Sequence, residues 1–164
     1  MDTKSKESRS ANMRAIHSGD TKPELMVRRL LFAEGFRFRL HVKTLTGKPD
    51  IVLRKYRTAV FVNGCFWHAH RGCPHAKFPS SNEEFWKPKF EHNRLRDQIV
   101  RDELLAQGWR VLIVWECACM KKFLPALKQL LADFIRNGNG PNYAEIERSS
   151  QGLIRIVSRS DNVS

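Results

Sequence analysis

The sequence predicts an α/β fold in which a mixed β-sheet is covered on both faces by helices. Three observations carry this prediction. Residues 36–42 alternate apolar and polar side chains, as a half-buried strand does. Residues 109–115 are almost wholly apolar, which is typical of a strand that is buried on both faces. Residues 85–107 and 122–136 have the charged and amphipathic patterns of helices that cover a sheet.

The chain begins with helical segments before the first strand. Residues 1–20 are expected to form an arm with one short helix. Thr21 then caps a second helix, and Glu24 stands at the capping-box position. Pro23 is tolerated in the first turn of this helix, and Gly35 ends it.

The strands of the sheet follow the second helix. After a turn at residues 47–49, residues 50–53 and 58–62 are two β-rich runs, and the basic link between them indicates a hairpin. Beyond Asn137 the chain is polar, although residues 152–157 have the pattern of an edge strand. We therefore divide the chain into an arm (residues 1–20), a core (residues 21–136) and a polar, flexible tail (residues 137–164).

The composition favours a polyanionic partner. The 164 residues include 29 Lys and Arg against 17 Asp and Glu, which gives a formal charge of +12 and a pI near 10.0. Such an excess of positive charge is suited to phosphate groups and indicates a nucleic-acid surface. The alternative is a basic surface that serves only solubility or membrane contact, because net charge bears on partners and not on fold.

Membrane insertion and secretion are not expected. No apolar run approaches the roughly 20 residues of a membrane span. The N-terminus also lacks the apolar region of a signal peptide, so we expect a cytoplasmic protein. In that compartment the four cysteines are more readily metal ligands or free thiols than disulfide partners.

Residues 61–73 contain two cysteines, two histidines and an adjacent Phe-Trp pair within one short segment. Cys65, His70 and Cys73 are soft metal ligands at short spacing, and two adjacent aromatic residues lie between them. Exposed aromatic side chains beside such ligands are typical of a protein that inserts into stacked bases. The segment therefore indicates zinc chemistry at a nucleic-acid surface.

A carboxylate at the start of a strand is the candidate ligand for a catalytic cation. Asp50 follows a Gly-Lys-Pro turn, so that its oxygens face a cleft where they can hold a divalent ion against a phosphate. A Pro-Asp pair that serves only turn geometry is the alternative. With Glu24 before it and the Cys/His segment after it, the order of parts resembles the Pro-Asp…(Asp/Glu)-x-Lys nucleases. Residues 60–63 stand where the second acid and the lysine of that class would be.

Five short motifs lie between residues 10 and 133, and the last two are specific enough that chance agreement with a known family is improbable. They are Asn12-Met-Arg-Ala-Ile16, Gly47-Lys-Pro-Asp50, Gly64-Cys-Phe-Trp-His68, Glu84-Phe-Trp86 and Gly108-Trp-Arg-Val-Leu-Ile-Val-Trp-Glu-Cys117. Together they resemble the very-short-patch-repair endonucleases, the T:G mismatch endonucleases of bacteria. The resemblance implies a restriction-endonuclease-like core that nicks one strand on the 5′ side of a mispaired thymine. It also implies a cytosine-5 methyltransferase as a functional companion, since such a mispair arises when 5-methylcytosine deaminates.

The resemblance implies a magnesium site. Asp50 would bind Mg²⁺ together with the backbone carbonyl of Val62, and His68 would act on the attacking water or the phosphate. A histidine suits this place because it titrates near neutrality. Glu24 would support metal-bound water, or else only favour the start of its helix. Asn63 stands where some family members carry another histidine.

For zinc, the resemblance and the ligand spacing select the same set. The four ligands are Cys65, His70, Cys73 and Cys117. A Cys-x₄-His-x₂-Cys segment completed by a distant cysteine gives a closed tetrahedral site, and hence a structural one. Cys119 and His75 are alternative ligands, because residues two apart on an extended segment share a face. Four buried thiols without metal are the other alternative.

DNA contacts are implied for an aromatic and a polar group of residues. Phe66, Trp67 and Trp86 match residues that intercalate from the major groove, and Met13 matches one that enters from the minor groove. A T:G mispair lowers the cost of unstacking, which gives such a wedge its mismatch selectivity. The alternative for the aromatic group is a packed core, and for the polar group it is a solvated helix face. The polar group, on one face of the helix after Trp86, consists of Lys89, Asn93 and Arg96.

Two other functions share part of these features. A restriction-like or modification-dependent DNA endonuclease would have the same core, and two protomers could cut both strands where a monomer nicks one. A zinc-stabilised DNA-binding module without catalysis would share the charge, the zinc ligands and the aromatic residues. It would not need Asp50 and His68 together, so their joint presence favours an enzyme, which we expect to be a monomer.

Overall fold

A computed structural model describes residues 19–158, which form one mixed six-stranded sheet with three helices. The helices are α1 (Lys22–Ala33), α2 (Glu83–Ala106) and α3 (Leu124–Arg136). The strands are β1 (Arg39–Leu40), β2 (Ile51–Leu53), β3 (Thr58–Asn63), β4 (Arg110–Trp115), β5 (Tyr143–Arg148) and β6 (Ile154–Val157). The short helix and the Met13 contact predicted for the arm lie outside the described residues. None of the helices in the described part of the chain is long and apolar enough to cross a bilayer.

The sheet keeps its strands in sequential order. β1, β2 and β3 are antiparallel neighbours, β3, β4 and β5 run parallel, and β6 is antiparallel to β5. Helices α1 and α3 cover one face, where Leu31 and Leu131 are buried in the larger core. Helix α2 covers the other face, where Leu104 packs with Ala59 and Val111. The predicted α/β architecture is confirmed.

Local signals explain where α1 begins and ends. The Thr21 side chain accepts a hydrogen bond from the Glu24 N–H at 3.4 Å, as a capping residue does. Gly35, just beyond the helix, has a φ of +86°, which favours glycine. β1 is shorter than the predicted strand at residues 36–42, because His41 takes a φ of +46° and ends the extended backbone there.

The prediction that residues 137–164 form a flexible tail is wrong for residues 143–157. β5 pairs in parallel with β4, with Tyr143 opposite Val111 and Ile146 opposite Val114, and its first five residues are buried. The polar residues that suggested a tail, Glu145 among them, are buried against partners from other elements. The predicted edge strand is confirmed as β6, so the core extends to residue 157.

Candidate functional site

Three strand ends meet at one edge of the sheet and carry the candidate site. Asp50 precedes β2, and because β2 runs antiparallel to β3, it lies beside the end of β3 at Val62. β4 runs parallel to β3, so Cys117, just beyond the end of β4, belongs to the same edge. Residues that are far apart in the sequence are thereby brought together.

Asp50 is a largely buried carboxylate with little compensating charge. Its Oδ2 accepts a hydrogen bond from the Val62 N–H at 2.8 Å, and its Oδ1 lies 3.8 Å from His41 Nδ1. Burial raises the pKa of Asp50 to about 6, and the charge of Glu24 adds to the rise, while the Val62 N–H, His41 and His68 oppose it. A carboxylate in such surroundings is suited to holding a cation.

Glu24 is buried in the first turn of α1 and is already paired. Its Oε2 accepts hydrogen bonds from the Asp20 N–H at 3.1 Å and from Arg28 at 3.2 Å. The oxygens of Asp20 and Glu24 and the His41 ring form a group with metal-ligand chemistry, but Arg28 lies 2.7 Å from Asp20 and 3.1 Å from His41 Nε2. Because this guanidinium supplies a positive charge to the group, we assign no second metal to it.

His68 is held by a partner that the sequence did not reveal. Its Nδ1 lies 2.5 Å from Oδ2 of Asp97 on α2, and among residues 19–158 its Nε2 has no hydrogen-bond partner. The two residues are 29 positions apart, so no local pattern links them. One signal was available, because Asp97 lies one helical turn after Asn93 on the face that was predicted to contact DNA.

The structure brings the four predicted zinc ligands together. The ligand atoms of Cys65, His70, Cys73 and Cys117 all lie within 4.8 Å of one another. His70 Nδ1 is 3.6 Å from the Sγ atoms of both Cys65 and Cys117. A tetrahedral zinc ion with ordinary Zn–S and Zn–N bonds sets its sulfur and nitrogen ligands about 3.6 Å apart. The donor set therefore fits zinc in chemistry and in size.

The three thiols of this cluster differ in pKa because they interact with one another and with His70. A hydrogen bond from the Cys65 thiol and the neighbouring His70 lower the pKa of Cys117, while the same hydrogen bond and burial raise the pKa of Cys65. Burial also raises the pKa of Cys73. Three thiolates cannot form together in this space unless a metal ion compensates their charge.

The two alternative zinc ligands lie elsewhere. Cys119 belongs to the larger core, where its Sγ contacts the Trp115 carbonyl at 3.7 Å and burial raises its pKa to about 12. His75 is exposed and is not part of the ligand group. Neither replaces a member of the predicted set.

An aromatic cluster flanks His68 in sequence and in space. The Phe66 ring contacts the rings of Trp67, Trp86 and Phe90 edge-on, at centroid distances of 5.2, 5.6 and 5.3 Å. Phe90 is buried and anchors the cluster, while Phe66, Trp67 and Trp86 are half-buried. Phe66, Trp67 and Trp86 are therefore partly exposed at the surface, and they pack on the buried Phe90 instead of forming a closed core.

Two of the three polar residues predicted on α2 contact this cluster. Lys89 Nζ lies 5.5 Å from the centroid of the Trp86 ring and 5.6 Å from that of Trp67. Asn93 Nδ2 donates a hydrogen bond to the Trp67 carbonyl at 3.1 Å, so it holds the segment that carries the aromatic pair. Arg96 is exposed.

Comparisons with known proteins give one family. The family model described as DNA mismatch endonuclease Vsr matches residues 1–74. The type II nicking enzyme V.XorIIP of Xanthomonas oryzae pv. oryzae is 49% identical over 116 residues, which cover 71% of this chain and 85% of that protein. The type II nicking enzyme V.NmeAIP of Neisseria meningitidis is 48% identical over 114 residues, covering 70% and 81%. The DNA mismatch endonuclease Vsr of Escherichia coli is 45% identical over 117 residues, covering 71% and 74%.

A solved structure shares the fold. The catalytic domain of the homing endonuclease I-Bth0305I aligns with a TM-score of 0.50, covering 74% of this chain and 100% of that domain. At 20% sequence identity, this likeness concerns the endonuclease fold alone.

Proposed function

Because the chain belongs to the Vsr DNA mismatch endonuclease family, we propose that it nicks one DNA strand on the 5′ side of the thymine in a T:G mispair. Membership makes the chain a strand-nicking endonuclease, a hydrolase of DNA phosphodiesters. The mispair arises from deaminated 5-methylcytosine, and the nick initiates very short patch repair. One observation carries this proposal: Phe66 and Trp67, a half-buried aromatic pair, directly precede His68, so that base recognition and cleavage share one segment.

The cleavage site is built around Asp50. Its carboxylate and the backbone carbonyl of Val62 would hold Mg²⁺, which fits the raised pKa of this carboxyl group and its place at the sheet edge. When bound, Mg²⁺ stabilises the negative charge that gathers on the phosphoryl oxygens. Glu24, which contributes to the field at Asp50, supports metal-bound water.

His68 acts either as the general base for the attacking water or as a contact to the scissile phosphate. With Nδ1 directed at Asp97, Nε2 can accept a proton from the attacking water or contact the scissile phosphate. The Asp97 carboxylate keeps the ring in one orientation.

We expect Asp97→Asn to lower the single-turnover nicking rate on the order of 10²-fold, as the loss of an oriented acid–base group does. The amide removes the charge that orients His68, whereas the DNA contacts stay. Gel-based nicking and binding assays on the same duplex separate the two effects. Asp102→Asn is the matched control, since this exposed aspartate of α2 pairs with Arg101. An equal loss in both variants would contradict the role of Asp97.

Mismatch selectivity resides in the aromatic wedge, which consists of Phe66, Trp67 and Trp86. Insertion of these rings costs the unstacking of base pairs, and a T:G wobble lowers that cost relative to a matched pair. Lys89 and Asn93 contribute contacts to the bases or the backbone, and Met13 enters from the minor groove. The charge of +12 supplies sequence-independent attraction to the phosphates.

We expect Trp67→Ala to reduce the preference for T:G over T:A duplexes about fivefold or more, because stacking of one base contributes about 1–3 kcal/mol. Affinity for the matched T:A duplex should change much less, since phosphate contacts supply most of it. Competition binding with both duplexes measures the two quantities. Phe78→Ala is the control, because Phe78 is an exposed ring that contacts Phe90 outside the wedge. A uniform loss of affinity with unchanged preference would make Trp67 a packing residue.

Zinc is the proposed structural cofactor. Bound by Cys65, His70, Cys73 and Cys117, it would join the segment after β3 to the end of β4. That segment carries both Trp67 and His68, so the metal would fix the geometry of the wedge and of the cleavage group together.

The proposed setting is the cytoplasm of a bacterium. The substrate is double-stranded DNA, the functional companion is a cytosine-5 methyltransferase, and the enzyme acts as a monomer, since one active site cuts one strand. The three helices of the described residues include none that could cross a membrane.

A second candidate function is nicking that does not depend on a mismatch, as part of a restriction-modification system. The names of two relatives, type II nicking enzymes V.XorIIP and V.NmeAIP, mention nicking without mentioning a mismatch, which is why this candidate is kept. A panel of duplexes with T:G, T:A and C:G pairs in varied sequence contexts tests the proposal. Nicking confined to T:G duplexes supports mismatch repair, whereas equal nicking of matched duplexes would support the second candidate.

A further inference from the structure

We infer that Glu147 is a positioning residue for the zinc ligand His70, and that the hairpin of β5 and β6 is therefore part of the zinc centre. The inference rests on the proposed zinc site. It assigns a role to a segment that the motifs of the sequence did not include.

The two ring nitrogens of His70 face different partners. Nδ1 lies 3.6 Å from the Sγ atoms of Cys65 and Cys117, and Nε2 lies 2.8 Å from Oε2 of Glu147. A metal takes the lone pair of one imidazole nitrogen, so the other nitrogen carries the proton and donates it. Glu147 therefore accepts the Nε2–H, so that the Nδ1 lone pair points into the space between the cysteine sulfur atoms, where the metal would lie.

A second carboxylate of the same strand fixes the plane of the ring. Trp115 stacks on the His70 ring at 4.0 Å with an angle of 3° between the planes, and Trp115 Nε1 donates a hydrogen bond to Glu145 at 2.8 Å. Glu145 and Glu147 are two residues apart on β5 and so share one face of the sheet. One carboxylate holds the histidine, and the other holds the indole against which it lies.

β6 completes this support. Arg155, which pairs with Glu147 in the strand register, donates two hydrogen bonds to its Oε1, at 3.1 and 2.7 Å. This leaves Oε2 for His70. The neighbouring Arg148 N–H donates a hydrogen bond to Cys117 Sγ at 3.4 Å. The hairpin thus contacts two of the four ligands.

The orientation of His70 also affects His68 and Trp67, because the three residues belong to one short segment. His70 lies two residues after His68 and three after Trp67. A ring held in one orientation fixes the short turn that carries these residues. The hairpin would then set the position of the wedge and of the cleavage group without contacting DNA.

Glu147→Gln tests this role, since the amide oxygen can still accept from Nε2–H but the negative charge is lost. We expect zinc-loaded Glu147→Gln to release zinc to excess 4-(2-pyridylazo)resorcinol roughly 10–100-fold faster than the parent, as loss of such a partner typically does. We also expect altered absorption bands when cobalt(II) replaces zinc. Glu34→Gln is the matched control, because Glu34 is also an arginine-paired carboxylate but pairs with Arg136 and Lys128 beside the end of α1 instead of with a zinc ligand.

The role of Glu147 and the presence of zinc are tested separately by these measurements. A zinc-containing parent whose release rate and cobalt spectrum are unchanged in Glu147→Gln would overturn the inference alone. A parent without zinc would overturn both. Arg155→Gln keeps the test decisive if Glu147→Gln does not fold, because Arg155 is more than half exposed. We expect a smaller acceleration in that variant, and an unchanged release rate would again overturn the inference.

Discussion

Replacing Asp50 by asparagine is expected to reduce strand nicking by at least about 10³-fold, because the charge proposed to hold Mg²⁺ at the scissile phosphate would contribute several kcal/mol to the transition state. The amide oxygen can still accept the Val62 N–H, so the sheet edge keeps its geometry. DNA binding should stay within about threefold of the parent, since phosphate contacts dominate affinity. Single-turnover nicking and equilibrium binding on one labelled duplex measure both effects.

The stability of the same variant separates lost chemistry from lost folding. Because burial raises the pKa of Asp50 from 3.8 to about 6, the metal-free protein gains stability from the protonated carboxyl below about pH 4 and loses that gain as the pH rises through 6. At pH 8 without metal, Asp50→Asn should therefore be more stable than the parent by up to about 3 kcal/mol, and at pH 3 the two should be equal. Asp20→Asn, at an exposed carboxylate nearby, should retain nicking. An inactive Asp20→Asn, or an Asp50→Asn variant with substantial activity, would contradict the assignment of Asp50.

Cys117→Ser is expected to abolish stoichiometric zinc binding and to lower the free energy of unfolding by at least about 4 kcal/mol. A structural zinc site contributes about 10 kcal/mol or more to the fold that it holds, and the hydrophobic core outside the site retains part of the stability. The melting temperature should fall by roughly 10 °C for a chain of this size. Elemental analysis and thermal denaturation measure the two effects.

Cys119→Ser is the matched control for the zinc experiment. It makes the same change two residues away, but Cys119 lies in the larger core and not among the ligands. This variant should keep one zinc ion per chain and lose only the stability that packing of the thiol provides. Retention of zinc in Cys117→Ser, or its loss in Cys119→Ser, would refute the proposed ligand set.

The Cys/His cluster and the order of the main elements could be predicted because their signals are local or chemically specific. Cys65, His70 and Cys73 lie within one short turn, and the apolar run at residues 109–115 indicates a strand buried on both faces. This strand, β4, runs parallel to β3, so Cys117 just after β4 lies at the same sheet edge as the turn just after β3. Spacing and softness of the ligands, together with the family resemblance, selected Cys117 over Cys119 and His75.

The rest depends on contacts between distant residues. Glu145 and Glu147 suggested a solvated tail, yet in the structure they are buried against Trp115 and His70, which carry the complementary donors. The Asp97 partner of His68 and the Arg28 contacts around Glu24 also join separate elements. A carboxylate in a sequence does not indicate whether a donor will face it in the fold, so polar residues of a buried strand resemble surface residues.

The most direct test of the proposed function maps the nick at single-nucleotide resolution. A duplex with one T:G mispair, labelled on each strand in turn, is incubated with enzyme and Mg²⁺ beside its T:A counterpart and beside Asp50→Asn. We expect one nick, immediately 5′ of the mispaired thymine, on that strand alone, and none in either control. Cleavage of both strands, or equal nicking of the T:A duplex, would contradict a mismatch-specific nicking endonuclease.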